Sequence, residues 1–107
     1  MRIIKRYHKM LIKIHKSYRN VVAICDSDLI DKKFEQGNAQ LDLTSNFYGR
    51  DEKSLNETIR LMKEMAKEDA TFNIVGKQSI EAAKQAGIVS DEGIKTIQEI
   101  PYALVLL

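Results

Sequence analysis

Met10-Leu11-Ile12-Lys13-Ile14-His15-Lys16-Ser17-Tyr18-Arg19-Asn20-Val21-Val22-Ala23-Ile24-Cys25 is the stretch on which the fold turns. Met10, Ile12 and Ile14 alternate with Leu11, Lys13 and His15, the period of two that a strand shows when one face is turned to a core. The polar run Lys16–Asn20 interrupts that period, and the β-branched run Val21–Cys25 follows it. Two extended segments around a five-residue polar loop predict a hairpin with Lys16 and Arg19 at its tip.

Outward from the hairpin, Asp26 or Ser27 is placed to cap a short helix over Asp28–Phe34, with Gly37-Asn38 stopping it. Leu41 and Leu43 flank Asp42 as a third strand with one wet face, and Thr44–Arg50 reads as a loop. Leu55, Ile59, Met62, Met65 and Ala66 recur at steps of three and four, which predicts an amphipathic helix. Either a Ser54-x-x-Glu57 capping box or Asp51 opens it. The apolar run Phe72–Val75 ends at Gly76, and Gln78–Ala86 forms a further helix closed by Gly87. Ser90–Gly93 makes a turn or cap, and Pro101 introduces a last strand over Tyr102–Leu107. The expected class is α+β: a single compact domain with a mixed or antiparallel sheet, an N-terminal β-hairpin and two to three helices on one face.

A chain of 107 residues, 44% hydrophobic, suffices for one core and not for two. Its one cysteine, Cys25, excludes an intramolecular disulfide and a multi-cysteine zinc site. With no apolar stretch approaching ~20 residues and no secretory pattern at the amino end, the expectation is a cytoplasmic protein that does not enter the membrane. No cofactor and no metal site is expected, since nothing shows metal-ligand spacing.

Charge is distributed unevenly. Arg2, Lys5, Arg6, Lys9, Lys13, Lys16 and Arg19 all precede the first acid, Asp26; the whole chain carries a formal +2, so the positions after residue 20 sum to −5. A cluster of cations gains by releasing counterions condensed on phosphates, so the expected partner is RNA or a ribonucleoprotein. Tyr7 and Tyr18, interleaved with those cations, suit stacking on bases, and His8 and His15 can donate to phosphate. The plain alternative is a solvated face that only keeps the protein in solution.

A second candidate site gathers Cys25, Asp26, Tyr48, Arg50, Asn73, Gly76 and Lys77. Cys25-Asp26 stands at a strand end, where sheets often carry functional groups, although a lone cysteine is more often a small buried hydrophobe. Phe47-Tyr48-Gly49-Arg50 reads either as an anchor on the core or as a surface where Tyr48 and Arg50 stack on a base. Gly76-Lys77-Gln78-Ser79 echoes the end of a phosphate-binding loop, but Thr71 and Gln78 stand where a glycine and a hydroxyl are needed. That argues against nucleoside triphosphate hydrolysis and leaves an anion resting at the helix start beside Lys77. Ala103–Leu107, apolar throughout, is a candidate strand for pairing with a partner or with a second copy.

Taken in order, Val22-Ala23-Ile24-Cys25-Asp26, Lys33-Phe34, Phe47-Tyr48-Gly49, Asn73-Ile74-Val75-Gly76 and Ser79-Ile80-Glu81-Ala82-Ala83 with Ala86-Gly87 resemble a small archaeal domain-of-unknown-function family, number four-two-four. The likeness runs from Met10 to Leu107 and implies an archaeal, cytoplasmic α+β protein. It implies no activity. Arg50 departs from that pattern, which has a second glycine there; that family typically starts near Met10, which implies that positions 1–9 are either a basic N-terminal extension or a start codon called too early, ahead of a single domain over 10–107. A non-enzymatic module for RNA or a ribonucleoprotein is therefore the first expectation. A small-ligand or enzymatic site around Cys25, Tyr48, Asn73 and Lys77 is the alternative, and a protein-interaction domain is the third.

Overall fold

β1 (Met10–His15) and β2 (Val21–Asp26) form the expected antiparallel hairpin, in a register that sets Leu11 against Cys25 and His15 against Val21. The structure, a computed structural model, describes residues 9–106. Further along the chain follow β3 (Lys33–Gln36), β4 (Ala39–Asp42), α1 (Ser45–Tyr48), β5 (Glu52–Lys53) and α2 (Leu55–Ala66). β6 (Thr71–Val75), α3 (Lys77–Gln85), β7 (Lys95–Ile97) and β8 (Ile100–Leu106) complete it. Six strands make one mixed sheet in the order β5-β1-β2-β6-β8-β7, with β2 and β6 parallel and every other pair antiparallel; β3 and β4 pair separately.

The alternation of strand residues divides the protein into two layers. Ile12, Val22, Ile24, Phe72, Ile74 and Ala103 face α2 and α3, packing with Met62, Met65, Ile80, Ala82 and Ala83. Phe72, Ile24, Ile74 and Met62 are wholly buried, and each such side chain stabilises the fold by about 1.5–3 kcal/mol. Alanines on α3 let it lie close to the strands. The opposite face buries Ala23, Cys25, Val75 and Ile97 under Leu41, Leu43 and Tyr48, supplied by β4, the segment after it and α1.

α2 opens with the full capping box: Glu57 N donates to Ser54 Oγ, and Ser54 N donates to Glu57 Oε1. Ser54, not Asp51, is therefore the cap. Three other expectations are corrected. No helix runs over Asp28–Phe34; a single 3-10 turn over Ser27–Leu29 leads into the β3–β4 hairpin, with Gly37-Asn38 as its turn. Gly37 supplies the positive φ of 60° that a two-residue hairpin turn needs at its first position. Thr44–Arg50 is not all loop, since Ser45–Tyr48 makes one helical turn capped by Thr44. The last strand begins at Ile100 rather than after Pro101. Pro101 is accommodated because its carbonyl accepts from Gly76 N on the β6 side, so its missing N–H falls where β6 has already ended.

No helix among the described residues is long and apolar enough to cross a membrane.

Candidate nucleic-acid interface

The hairpin loop between β1 and β2 projects Lys16, Ser17, Tyr18 and Arg19 into solvent, and the Tyr18 side chain is fully exposed. The Asn20 carbonyl accepts from Thr71 N, which fixes the base of the loop on β6. Below the tip, Lys13 and His15 lie on the sheet face opposite α2 and α3. Lys13 Nζ donates to the Asn46 carbonyl at 2.8 Å, and His15 Nε2 donates to the Phe47 carbonyl at 2.7 Å. The imidazole also stacks on the Phe47 ring, with centroids 4.8 Å apart. These contacts fasten α1 to β1 and leave Lys13 with two further donors. Among the described residues the ion pairs are Lys33–Glu35 and Lys84–Asp91, so Lys9, Lys13, Lys16 and Arg19 are not neutralised by carboxylates.

The basic set is not one compact patch. Lys9 stands at the far end of β1, about 20 Å from the tip at the ~3.4 Å rise of a strand residue. Arg2, Lys5 and Arg6, with Tyr7 and His8, lie outside the described residues.

The second candidate set separates across the sheet. Asp26 follows Val22 and Ile24 by steps of two and so reaches the helical face, where it meets α3. Its Oδ2 accepts from Gln78 N at 3.0 Å; its Oδ1 accepts from Ser79 N at 2.8 Å and Ser79 Oγ at 2.7 Å. Burial pushes the Asp26 carboxyl above its usual range, with those hydrogen bonds pulling the other way. Asp26, Gly76 and Lys77 line one pocket of about 270 Å³ at the carboxyl ends of the parallel pair β2 and β6, together with Asp28, Gln78, Glu99 and Pro101. At that helix start the Gln78 and Ser79 amides donate to Asp26, and Asp28 and Glu99 line the same pocket as Lys77, so an anion there would meet negative charge.

Cys25, one residue earlier, faces the other way. It is wholly buried, its Sγ donates to the Asp26 carbonyl at 3.3 Å, and burial first, then Asp26 and Asp28, push its thiol up to about 12. A neutral thiol is a poor nucleophile. Tyr48 is buried beneath the same face, with its phenol raised by burial, so it is an anchor on the core and not a stacking partner for Arg50. Arg50 donates to Ser45 Oγ and borders a different depression beside Ile12, Lys13 and Lys53. Asn73 sits half-buried on the face opposite the helices, paired with Ala23 and Leu104. Cys25, Tyr48, Asn73 and Lys77 thus do not share one pocket. Among the described residues no three His, Cys, Asp or Glu side chains gather to hold a metal ion.

A family model described as a protein of unknown function, DUF424, matches residues 14–107. The chain belongs to the DUF424 family. A crystal structure of an uncharacterized conserved protein from Methanopyrus kandleri superposes with a TM-score of 0.81 over 92% of each chain at 20% identity. At that identity the likeness shows a shared fold alone. No curated protein matches this DUF424 chain.

The residue that sequence reasoning misplaced most is Asp26. The sequence offers it, or Ser27, as the cap of a short helix over Asp28–Phe34, whereas its carboxylate caps α3, accepting from amides 52 and 53 positions away. The available signal was parity: an acid in step with Val22 and Ile24 must end on a buried face, and a buried carboxylate needs donors.

Proposed function

We propose that this DUF424 protein is a non-enzymatic binding module for RNA, alone or in a ribonucleoprotein, engaging it through the basic β1–β2 hairpin. The observation that carries the proposal is Tyr18, a fully exposed aromatic between the exposed cations Lys16 and Arg19 in the loop that joins β1 and β2. An aromatic that packs on nothing among the described residues, flanked by cations without carboxylate partners among them, suits an unpaired base and its neighbouring phosphates. Arg2, Lys5, Arg6 and Lys9 add cations in the sequence ahead of β1. Phosphate contacts of this kind position a strand without reading its sequence.

The experiment is fluorescence anisotropy with a labelled oligo-uridine strand over a salt series. Binding should weaken linearly on a log–log plot, and the Lys16→Ala/Arg19→Ala double variant should flatten the slope by about 1.4, roughly 0.7 per lost phosphate contact on a single strand. Absence of binding at low salt, or an affinity indifferent to salt, would overturn the assignment.

A further inference from the structure

β8 is paired along its whole inner side, from the Val75–Tyr102 pair to the Thr71–Leu106 pair with β6. On its outer side β7 reaches only from Ile97–Ile100 to Lys95–Tyr102, and before Lys95 the chain is a 3-10 turn over Asp91–Gly93. The Pro101 carbonyl points to Gly76, so by the period of two Ala103 and Val105 also direct their main-chain groups to β6. Ile100, Tyr102, Leu104 and Leu106 direct theirs outward. β7 meets the first two, and no strand among the described residues meets Leu104 or Leu106.

The side chains repeat the pattern. Leu104 and Leu106 are 61% and 69% exposed, and Pro101–Leu106 contains no charged residue. At the opposite edge of the sheet, β1 carries Lys13, is paired by β5 at Met10 and Leu11, and receives α1 across His15 and Lys13. Charges and covering segments are the usual means by which a sheet edge is kept from pairing; Leu104–Leu106 carry no charge, and the 3-10 turn over Asp91–Gly93 lies near β8 without a backbone hydrogen bond to Leu104 or Leu106.

We propose that the outer edge of β8 is a dimerisation strand, and that its occupant is a second copy of this chain. A two-fold axis beside Val105 sets Leu104 opposite the partner's Leu106, and both residues aim their amide and carbonyl outward, so each pair exchanges both hydrogen bonds. Val105 then faces the partner's Val105 on the helical side, and Leu104 packs against the partner's Leu106 on the other. The occupant must bring outward donors and acceptors at alternate positions, uncharged residues between them and apolar side chains on one face; a second copy supplies all three in register. A polyanion finds no cation along Pro101–Leu106. The axis stands perpendicular to the sheet, so the helices of both copies share one side and the basic hairpins lie at opposite ends of one continuous sheet. This proposal is independent of RNA binding.

The test combines mass in solution with hydrogen exchange across a dilution series of the full chain. The expected mass rises toward twice the 12.2 kDa of one chain as concentration increases, and the Leu104 and Leu106 amides gain protection in step. The Leu104→Lys/Leu106→Lys variant should stay at the mass of one chain throughout, with the Ala103 and Val105 amides still protected by β6. A wild-type mass of one chain at every concentration, exchange at Leu104 and Leu106 indifferent to concentration, or a dimer that survives in the variant would each overturn the proposal. Should the variant fail to fold, the wild-type exchange of those two amides decides by itself.

Discussion

Asp26 and Gly76 are fitted to one another: a β-carbon at position 76 would stand 2.3 Å from Asp26 Cγ, in the space the carboxylate occupies while it caps α3. Gly76 also holds φ at 107°, a conformation that side chains rarely adopt. Two parallel strands and the helix that follows the second are thereby joined at one point, the carboxylate of the first strand meeting the bare backbone of the second.

Substitution on either side of that contact should destabilise the fold. Asp26→Ala leaves the buried Ser79 amide and hydroxyl without their acceptor and should cost about 1–3 kcal/mol in denaturant unfolding. Gly76→Ala should cost more than about 1 kcal/mol, because strain and overlap add. A Gly76→Ala variant as stable as the wild type would refute the close fit.

The same carboxyl sets a pH dependence. Its folded pKa lies above the unfolded value because burial outweighs the hydrogen bonds, so the folded state holds the proton more tightly. The contribution of this group to stability is therefore full below the unfolded pKa and declines as pH rises through the folded one. Comparing wild type with Asp26→Asn across the acidic range isolates it; a wild-type advantage that grew with rising pH would carry the opposite sign and contradict this.

Tyr18 should matter to RNA and not to stability. Tyr18→Ala removes a stacking platform and should weaken oligo-uridine binding by about 1–3 kcal/mol, whereas Tyr18→Phe should bind nearly as the wild type does. Neither should shift the thermal midpoint, since the side chain is fully exposed. Equal affinity in all three proteins would remove Tyr18 from the interface.

Cys25 should be chemically silent. A wholly buried thiol with its pKa pushed up to about 12 offers almost no thiolate near neutral pH, so alkylating reagents should label it only at the rate at which the protein opens. Labelling of the folded protein as fast as that of a free thiol would place Cys25 at the surface.

Ser54→Ala should cost about 1 kcal/mol, read from thermal or denaturant unfolding. It removes the acceptor of the Glu57 amide and abolishes one half of a reciprocal cap. No change in stability would mean that α2 is held by packing alone.

Much of the fold was legible because it depends on neighbours in sequence. The β1–β2 hairpin follows from alternation on both sides of a polar loop, and α2 and α3 from their apolar spacing and their caps. The β3–β4 hairpin was hidden because Phe34 and Leu41 are its only large apolar residues, leaving almost no alternation. Gly37-Asn38 is nonetheless a recognised hairpin pair and was the signal to use. The β7–β8 turn gave no such sign. Gln98 and Glu99 both adopt positive φ, 49° and 67°, without glycine or asparagine. They are held by Gln98, whose amide donates to Gln36 Oε1 and whose side chain donates to the Glu35 carbonyl.

The candidate sites divide in the same way. That Lys16, Tyr18 and Arg19 would share an exposed tip was readable from the hairpin pattern, whereas Cys25 and Asp26, adjacent in sequence, lie on opposite faces of the sheet.

By itself the sequence determined which segments extend, which coil, and that seven cations precede the first acid, because dihedral preference, apolar period and charge are properties of near neighbours. Only the tertiary structure decided that β2 lies parallel to β6, that Asp26 is spent on capping α3, and that β8 keeps an open edge. Those facts depend on contacts between residues fifty or more positions apart, or on where a neighbouring strand stops, and no local rule carries that distance.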